Sequence, residues 1–183
     1  MKFVHKIIVL LLLVPPQVAQ LQGLPDWAQE ENRLEDNRQR WENHNIHTYS
    51  FLMDGQCFGC NLYYPARVLI EDNDVVAVLN PETGEPLRRR GSDPGDLSIE
   101  ERNRMFKSVD GLFTIVESAI LDHEGTSHPG PKSSYFVVEY DEHYGYPRSI
   151  SVEYSERTDA AGNRYTITEG AAKYDVSDFI SSP

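Results

Sequence analysis

Tyr135-Phe136-Val137-Val138-Glu139-Tyr140-Asp141-Glu142-His143-Tyr144-Gly145-Tyr146-Pro147-Arg148-Ser149-Ile150-Ser151-Val152-Glu153-Tyr154 is the stretch that decides the fold. Its first part, 135–140, is mostly aromatic and β-branched, which suits a strand. Its last part, 149–154, alternates, with Ile150 and Val152 on one face and Ser149, Ser151 and Glu153 on the other. That period of two marks a half-buried return strand. Gly145 supplies the turn between them, and Pro147, which has no amide hydrogen, belongs at the start of its strand. The stretch is therefore an antiparallel hairpin.

Further strands are expected on either side of it. Thr48 to Met53 alternates and is rich in aromatic and β-branched residues. Val68–Glu71 and Val75–Leu79 flank the turn residues Asp72-Asn73-Asp74. Asp72 and Asp74 lack the spaced ligands and terminal glutamate of a calcium loop, so no metal is expected there. After a turn at Asp159–Asn163, Tyr165–Thr168 reads as another strand and Tyr174–Ile180 as a short last one.

Two longer segments read as helices. In 25–45, Trp27, Leu34 and Trp41 recur at heptad spacing among charged residues, a narrow stripe that must pack on a sheet. Pro25 and Asp26 suit the first turn. In Val109–Leu121, the residues Leu112, Phe113, Val116, Ile120 and Leu121 give the helical repeat. Ser108 is placed to cap this helix, Asp110 favours its positive end, and Ser98 caps a helical turn ahead of it. The order is helix, three strands, helix, then three or four strands, with no βαβ alternation. The expected class is α+β, an antiparallel sheet of about six strands with helices packed on one face.

The two cysteines, Cys57 and Cys60, form a Cys-x-x-Cys pair. A reactive thiol of the thioredoxin kind needs a helix N-terminus, and Asn61-Leu62-Tyr63-Tyr64-Pro65 is a poor helix start. A structural zinc needs four ligands, and His44, His47, His123, His128 and His143 are scattered. The preferred reading is a local disulfide, worth at most about 2 kcal/mol for so small a ring. A thiol–disulfide oxidoreductase is the alternative.

That reading depends on compartment. Lys2, His5 and Lys6 precede an apolar run from Ile7 to Val14, with Ala19 and Gly23 near a possible cut. This is the pattern of a secretory signal peptide over 1–23, and the run is too short for a spanning helix of roughly 20 residues. The expected product is one domain, 24–183, that is exported to the periplasm or beyond, does not insert in the membrane and is monomeric. It carries 15 basic and 29 acidic side chains, a formal charge of −14. Such a surface repels phosphate backbones, so nucleic acid is not an expected partner. Arg88-Arg89-Arg90, the one basic cluster, lies in the irregular stretch 81–96 and reads as a loop whose arginines pair with the protein's own acids, or as a docking point for an anion.

Several segments together resemble DUF6174, a family of bacterial exported proteins of unknown function. They are Trp41 with Tyr49-Ser50-Phe51, Cys57-Phe58 with Cys60, Val109-Asp110-Gly111-Leu112-Phe113, and Val138 to Pro147 followed by Ile150. The resemblance covers about residues 40–180. It implies export and a small α+β domain, and no assigned reaction.

Tyr140, Asp141, Tyr144 and Tyr146 gather three phenols and a carboxylate at the hairpin turn. Two readings are open. The turn is built around Gly145 with the rings folded onto the sheet and Asp141 accepting turn amides; or the tyrosines form a rigid aromatic binding edge. No nucleophile or metalloprotease motif is present, and no cofactor or catalytic residue is expected. The expected function is a non-catalytic domain that binds a protein or small ligand. The alternatives are the oxidoreductase and an envelope structural or assembly factor.

Overall fold

The computed structural model describes residues 25–57, 65–88, 95–123, 131–158 and 164–182. The elements run α1 (Trp27–Asn43), β1 (Thr48–Cys57), β2 (Ala66–Glu71), β3 (Asp74–Leu79), α2 (Ile99–Met105), α3 (Val109–His123), β4 (Pro131–Tyr140), β5 (Pro147–Thr158) and β6 (Arg164–Ser182). The six strands form one antiparallel sheet in the order β3-β2-β1-β6-β5-β4. The first and last strands thus lie side by side at its centre. From β1 the chain steps outward to one edge, crosses over as α2 and α3, and steps inward from the other edge to β6.

Local sequence explains the joints. The β2–β3 turn places Asp72 at φ 47° and Asn73 at φ 70°, both left-handed. Turns of that kind match the twist of a two-residue hairpin and favour Asn and Asp. Asp26 caps α1 by accepting from the Gln29 amide at 3.3 Å. Ser98 and Glu101 form a reciprocal capping box on α2. Ser108 accepts from the Gly111 amide at 3.2 Å and so caps α3.

One face of the sheet is the core. Tyr49, Phe51 and Met53 of β1 stand opposite Ile70, Val68 and Ala66 of β2, and all six are buried. Phe136 and Val138 of β4 pair with Val152 and Ile150 of β5 in the same layer. Leu34 and Trp41 from α1, and Leu112, Phe113, Val116 and Ile120 from α3, cover this face. The other face is open and polar, with Asp54, Glu153, Lys173 and Ser177 exposed. The α+β class with helices on one face is thereby established.

Some elements differ from the sequence reading. Tyr165–Thr168 and Tyr174–Ile180 are parts of one 19-residue strand, β6, which pairs with β5 and β1 and carries register shifts between Thr166 and Gly170 and between Ser177 and Ile180. Gly170-Ala171-Ala172 joins them, paired with Tyr154, Glu153 and Val152 of β5. Leu121 is 52% exposed; it lies one residue, about 100°, round the helix from buried Ile120. Arg88 pairs with Asp96 at 3.5 Å, in line with the self-paired reading of that loop, while Arg89 and Arg90 lie outside the described residues. The segment 1–23 and the turn 159–163 also lie outside them. Among the described residues no helix is long and apolar enough to cross a membrane.

Candidate functional site

The hairpin turn is held from within. Oδ1 of Asp141 accepts the amides of His143 at 3.0 Å and Tyr144 at 2.7 Å. The Asp141 amide donates to Tyr146 O, and the Gly145 amide donates back to Asp141 O. Gly145 has φ +84°, and a Cβ there would lie 2.5 Å from the Asn37 carbonyl oxygen. The turn is therefore seated on the backbone of α1, at a place only glycine can occupy.

The three tyrosines have different fates. Tyr146 is buried, with its ring 6.2 Å from Trp41 and 4.9 Å from Phe179. Burial pushes its phenol up to about 12. Tyr140 lies under the Arg33 guanidinium, 5.6 Å from its ring centre, and beside Phe113 at 6.4 Å. Its hydroxyl is buried without a hydrogen-bond partner, and burial raises its pKa further than that of Tyr146. Tyr144 is partly buried, as Tyr140 is, with its ring 4.9 Å from Phe179 and clustered with His143 at 4.5 Å and His44 at 5.0 Å. Of the two readings of this segment, the geometry is that of a turn built on Gly145 with Asp141 accepting its amides.

A cleft of about 620 Å³ opens beside this brace, between the end of α1, the β2–β3 turn and the first turns of α3. Trp41, Tyr49, Phe113 and Ile46 supply its apolar lining. Glu42, Asp72, Asp110 and Glu117 supply carboxylates, and Arg38 and His47 the basic groups. Its size falls in the range of about 300–1,000 Å³ usual for small-molecule sites.

Tyr49 ties the floor to the wall. Its hydroxyl accepts the Val109 amide at 2.9 Å, satisfying an N–H that the first turn of α3 cannot bond internally. Burial pushes the Tyr49 phenol far above its ordinary value, the Val109 bond opposes that shift, and the Asp110 carboxylate adds to it. Tyr49 also meets Trp41 edge-on at 5.3 Å. The segments around Trp41, Tyr49, Val109–Phe113 and Tyr140–Pro147, far apart in sequence, thus meet at one place.

The charges of the cleft are unevenly partnered. Arg38 donates to Glu117 at 3.1 Å and lies over the Phe113 ring at 5.6 Å. His47 faces Asp72 at 3.8 Å. Among the described residues, no cation lies within ion-pair distance of the Glu42 or Asp110 carboxylate. A smaller cavity of about 300 Å³ shares Asn73 and Thr114 with the cleft. Lys107 lines it, but its ammonium donates to the Asn103 and Arg104 carbonyls at the end of α2.

The Thr114 hydroxyl donates to the Asp110 carbonyl one turn earlier, and His47 faces Asp72 and Asn45. No group of three or more His, Cys, Asp or Glu side chains among the described residues is placed to hold a metal. Cys57 ends β1 with its backbone paired to Ala172; Cys60, and so the expected disulfide, lies outside the described residues. From sequence alone Trp41 and Phe113 read as core, Tyr49 as part of a strand and Asp110 as a charge at the positive end of α3, and Glu42 is left without a role. The spacing of Trp41, His47 and Tyr49 across the α1–β1 junction was the one signal that could have drawn them together.

A family model described as a family of unknown function (DUF6174) matches residues 33–171. No curated protein matches the chain.

Proposed function

Because the chain belongs to the DUF6174 family, for which no function is known, we propose from its own geometry that it is a non-catalytic binding domain whose ligand sits in the cleft beside Trp41. The single observation that carries this reading is the cleft itself, a concave site of small-molecule size with aromatic rings and several carboxylates around it. The brace formed by Gly145 on α1 supports it, because it holds Trp41 against Tyr146 and fixes one wall. Export to the periplasm or beyond belongs to the same proposal and rests on the N-terminal pattern of residues 1–23.

A thermal-shift screen of small organic molecules tests the reading, run in parallel on the native chain and on Thr114→Trp. Thr114 is an exposed helical residue on the cleft wall, so the indole fills the cleft without disturbing the core. Compounds that raise the Tm of the native chain should leave that of the variant unchanged. Equal shifts in both would place binding elsewhere.

A second reading is favoured by the cluster of the exposed His44 and His143 rings with the partly buried Tyr144 ring. Here the edge expected at Tyr140, Asp141, Tyr144 and Tyr146 meets a protein partner, with Tyr144 making the contact and the other three supporting it. Tyr144→Ala should abolish that association and leave ligand binding in the cleft intact.

A further inference from the structure

We propose that the occupant of this cleft is a small organic cation, an ammonium or guanidinium on an apolar body. The inference rests on the reading of the cleft as the binding site and adds the chemical class of its ligand.

Three observations carry it. First, the cleft already holds one organic cation. The Arg38 guanidinium is bonded to Glu117 at 3.1 Å and lies 5.6 Å from the Phe113 ring centre. Carboxylate on one side and aromatic face on the other is the usual cradle for such a group. Second, the same materials are present in excess. Glu42 and Asp110, both exposed, have no cation within ion-pair distance among the described residues, and a small accessible part of the largely buried Trp41 and Tyr49 rings lines the same cleft. Third, the balance of charge has one sign. The four carboxylates of the cleft, Glu42, Asp72, Asp110 and Glu117, outnumber its basic groups, Arg38 and His47, so the concave site carries net negative charge, with Asp110 offset in part by the N-terminal turn of α3. Low-dielectric walls focus such a field and concentrate cations. An anionic ligand would meet two unmatched carboxylates. A neutral one would leave them desolvated and unpaired, which costs binding free energy.

The shape sets the rest. A cleft of about 620 Å³ has room for an aromatic or aliphatic body as well as the charged head. The body lies along the cleft floor, where Ile46 is the more accessible apolar side chain, and the carboxylates take the head.

Amide NMR spectra of the purified chain, titrated with three probes of one shape, test this. The probes are 2-phenylethylammonium, 2-phenylethanol and 3-phenylpropionate. The expected result is saturable shifts at the amides of Glu42, Asn45, Asp110 and Thr114 with the ammonium, at an affinity at least tenfold above that for the alcohol. The carboxylate should produce no saturable shifts there. The double variant Glu42→Gln, Asp110→Asn should weaken the ammonium at least fivefold and leave the alcohol unchanged. If the alcohol or the carboxylate binds these amides as well as the ammonium does, the cationic assignment is overturned while the cleft stands as the site. If no probe moves these amides, the cationic assignment and the reading of the cleft fall together.

Discussion

The hydroxyl of Tyr49, in the middle strand of the sheet, accepts the backbone amide of Val109 at 2.9 Å and so docks the first turn of α3 onto β1. At the floor of the cleft this bond adds to the β1–β6 pairing that joins the two halves of the chain. Removing the oxygen leaves a buried N–H unpaired while changing the volume little. Tyr49→Phe should therefore destabilise the fold by about 1–3 kcal/mol. Urea unfolding followed by circular dichroism reads this as a lower midpoint at unchanged slope. An unchanged midpoint would show that the bond adds nothing.

Gly145 should tolerate no side chain. At φ +84°, with the Asn37 oxygen 2.5 Å from the position of a Cβ, alanine meets both backbone strain and a clash with α1. Gly145→Ala should cost about 2 kcal/mol or more. Thermal unfolding of the variant checks this, and a loss under about 0.5 kcal/mol would mean that the turn does not bear on the helix as described.

Tyr144 and Tyr146, two residues apart, should respond differently. Tyr146 is 4% exposed and touches Trp41 and Phe179, so Tyr146→Ala opens a core cavity and should cost about 3–5 kcal/mol. Tyr144→Ala removes a partly buried ring and should cost less. Equal losses would contradict the inward placement of Tyr146.

Alkaline pH should unfold the protein through its phenols. Burial raises the pKa of Tyr49, Tyr140, Tyr146 and Tyr174, with Tyr146 reaching about 12. Below about pH 10 these groups are protonated in both folded and unfolded chains, and their contribution is fully present. Above that pH the unfolded chain loses protons that the fold retains, so stability falls. For a phenol as buried as that of Tyr49 the slope approaches about 1.4 kcal/mol per pH unit. Phenolate absorbance and circular dichroism should change together above pH 10. Full ionisation with the fold intact would contradict the burial of these rings.

How much of this was legible beforehand follows from where the information lies. The strands flanking Asp72-Asn73 and Gly145 were readable because turn chemistry and period-two alternation are local. So were the caps Ser98 and Ser108, whereas Asp26, expected in the first turn of α1, is its N-cap. The meeting of β1 with β6 was not, since pairing between the first and last strands depends on the path of the whole chain. The cleft was hidden for the same reason. Trp41 and Phe113 look like ordinary core residues on their own helices, and they become a lining only when α1, α3 and the β2–β3 turn converge. The tyrosine turn was legible as a turn; that it seats on Asn37 of α1 required the fold.

The central claim is that the cleft beside Trp41 binds an organic cation, and Trp41 itself can report it. The chain has two tryptophans, so Trp27→Phe leaves Trp41 as the sole indole. Titrating that variant with 2-phenylethylammonium at low and at high sodium chloride measures the binding directly. The account predicts a saturable change in indole fluorescence whose apparent Kd rises several-fold with salt, as screening of the Glu42 and Asp110 carboxylates requires. A change that never saturates, or a Kd indifferent to salt, would contradict it.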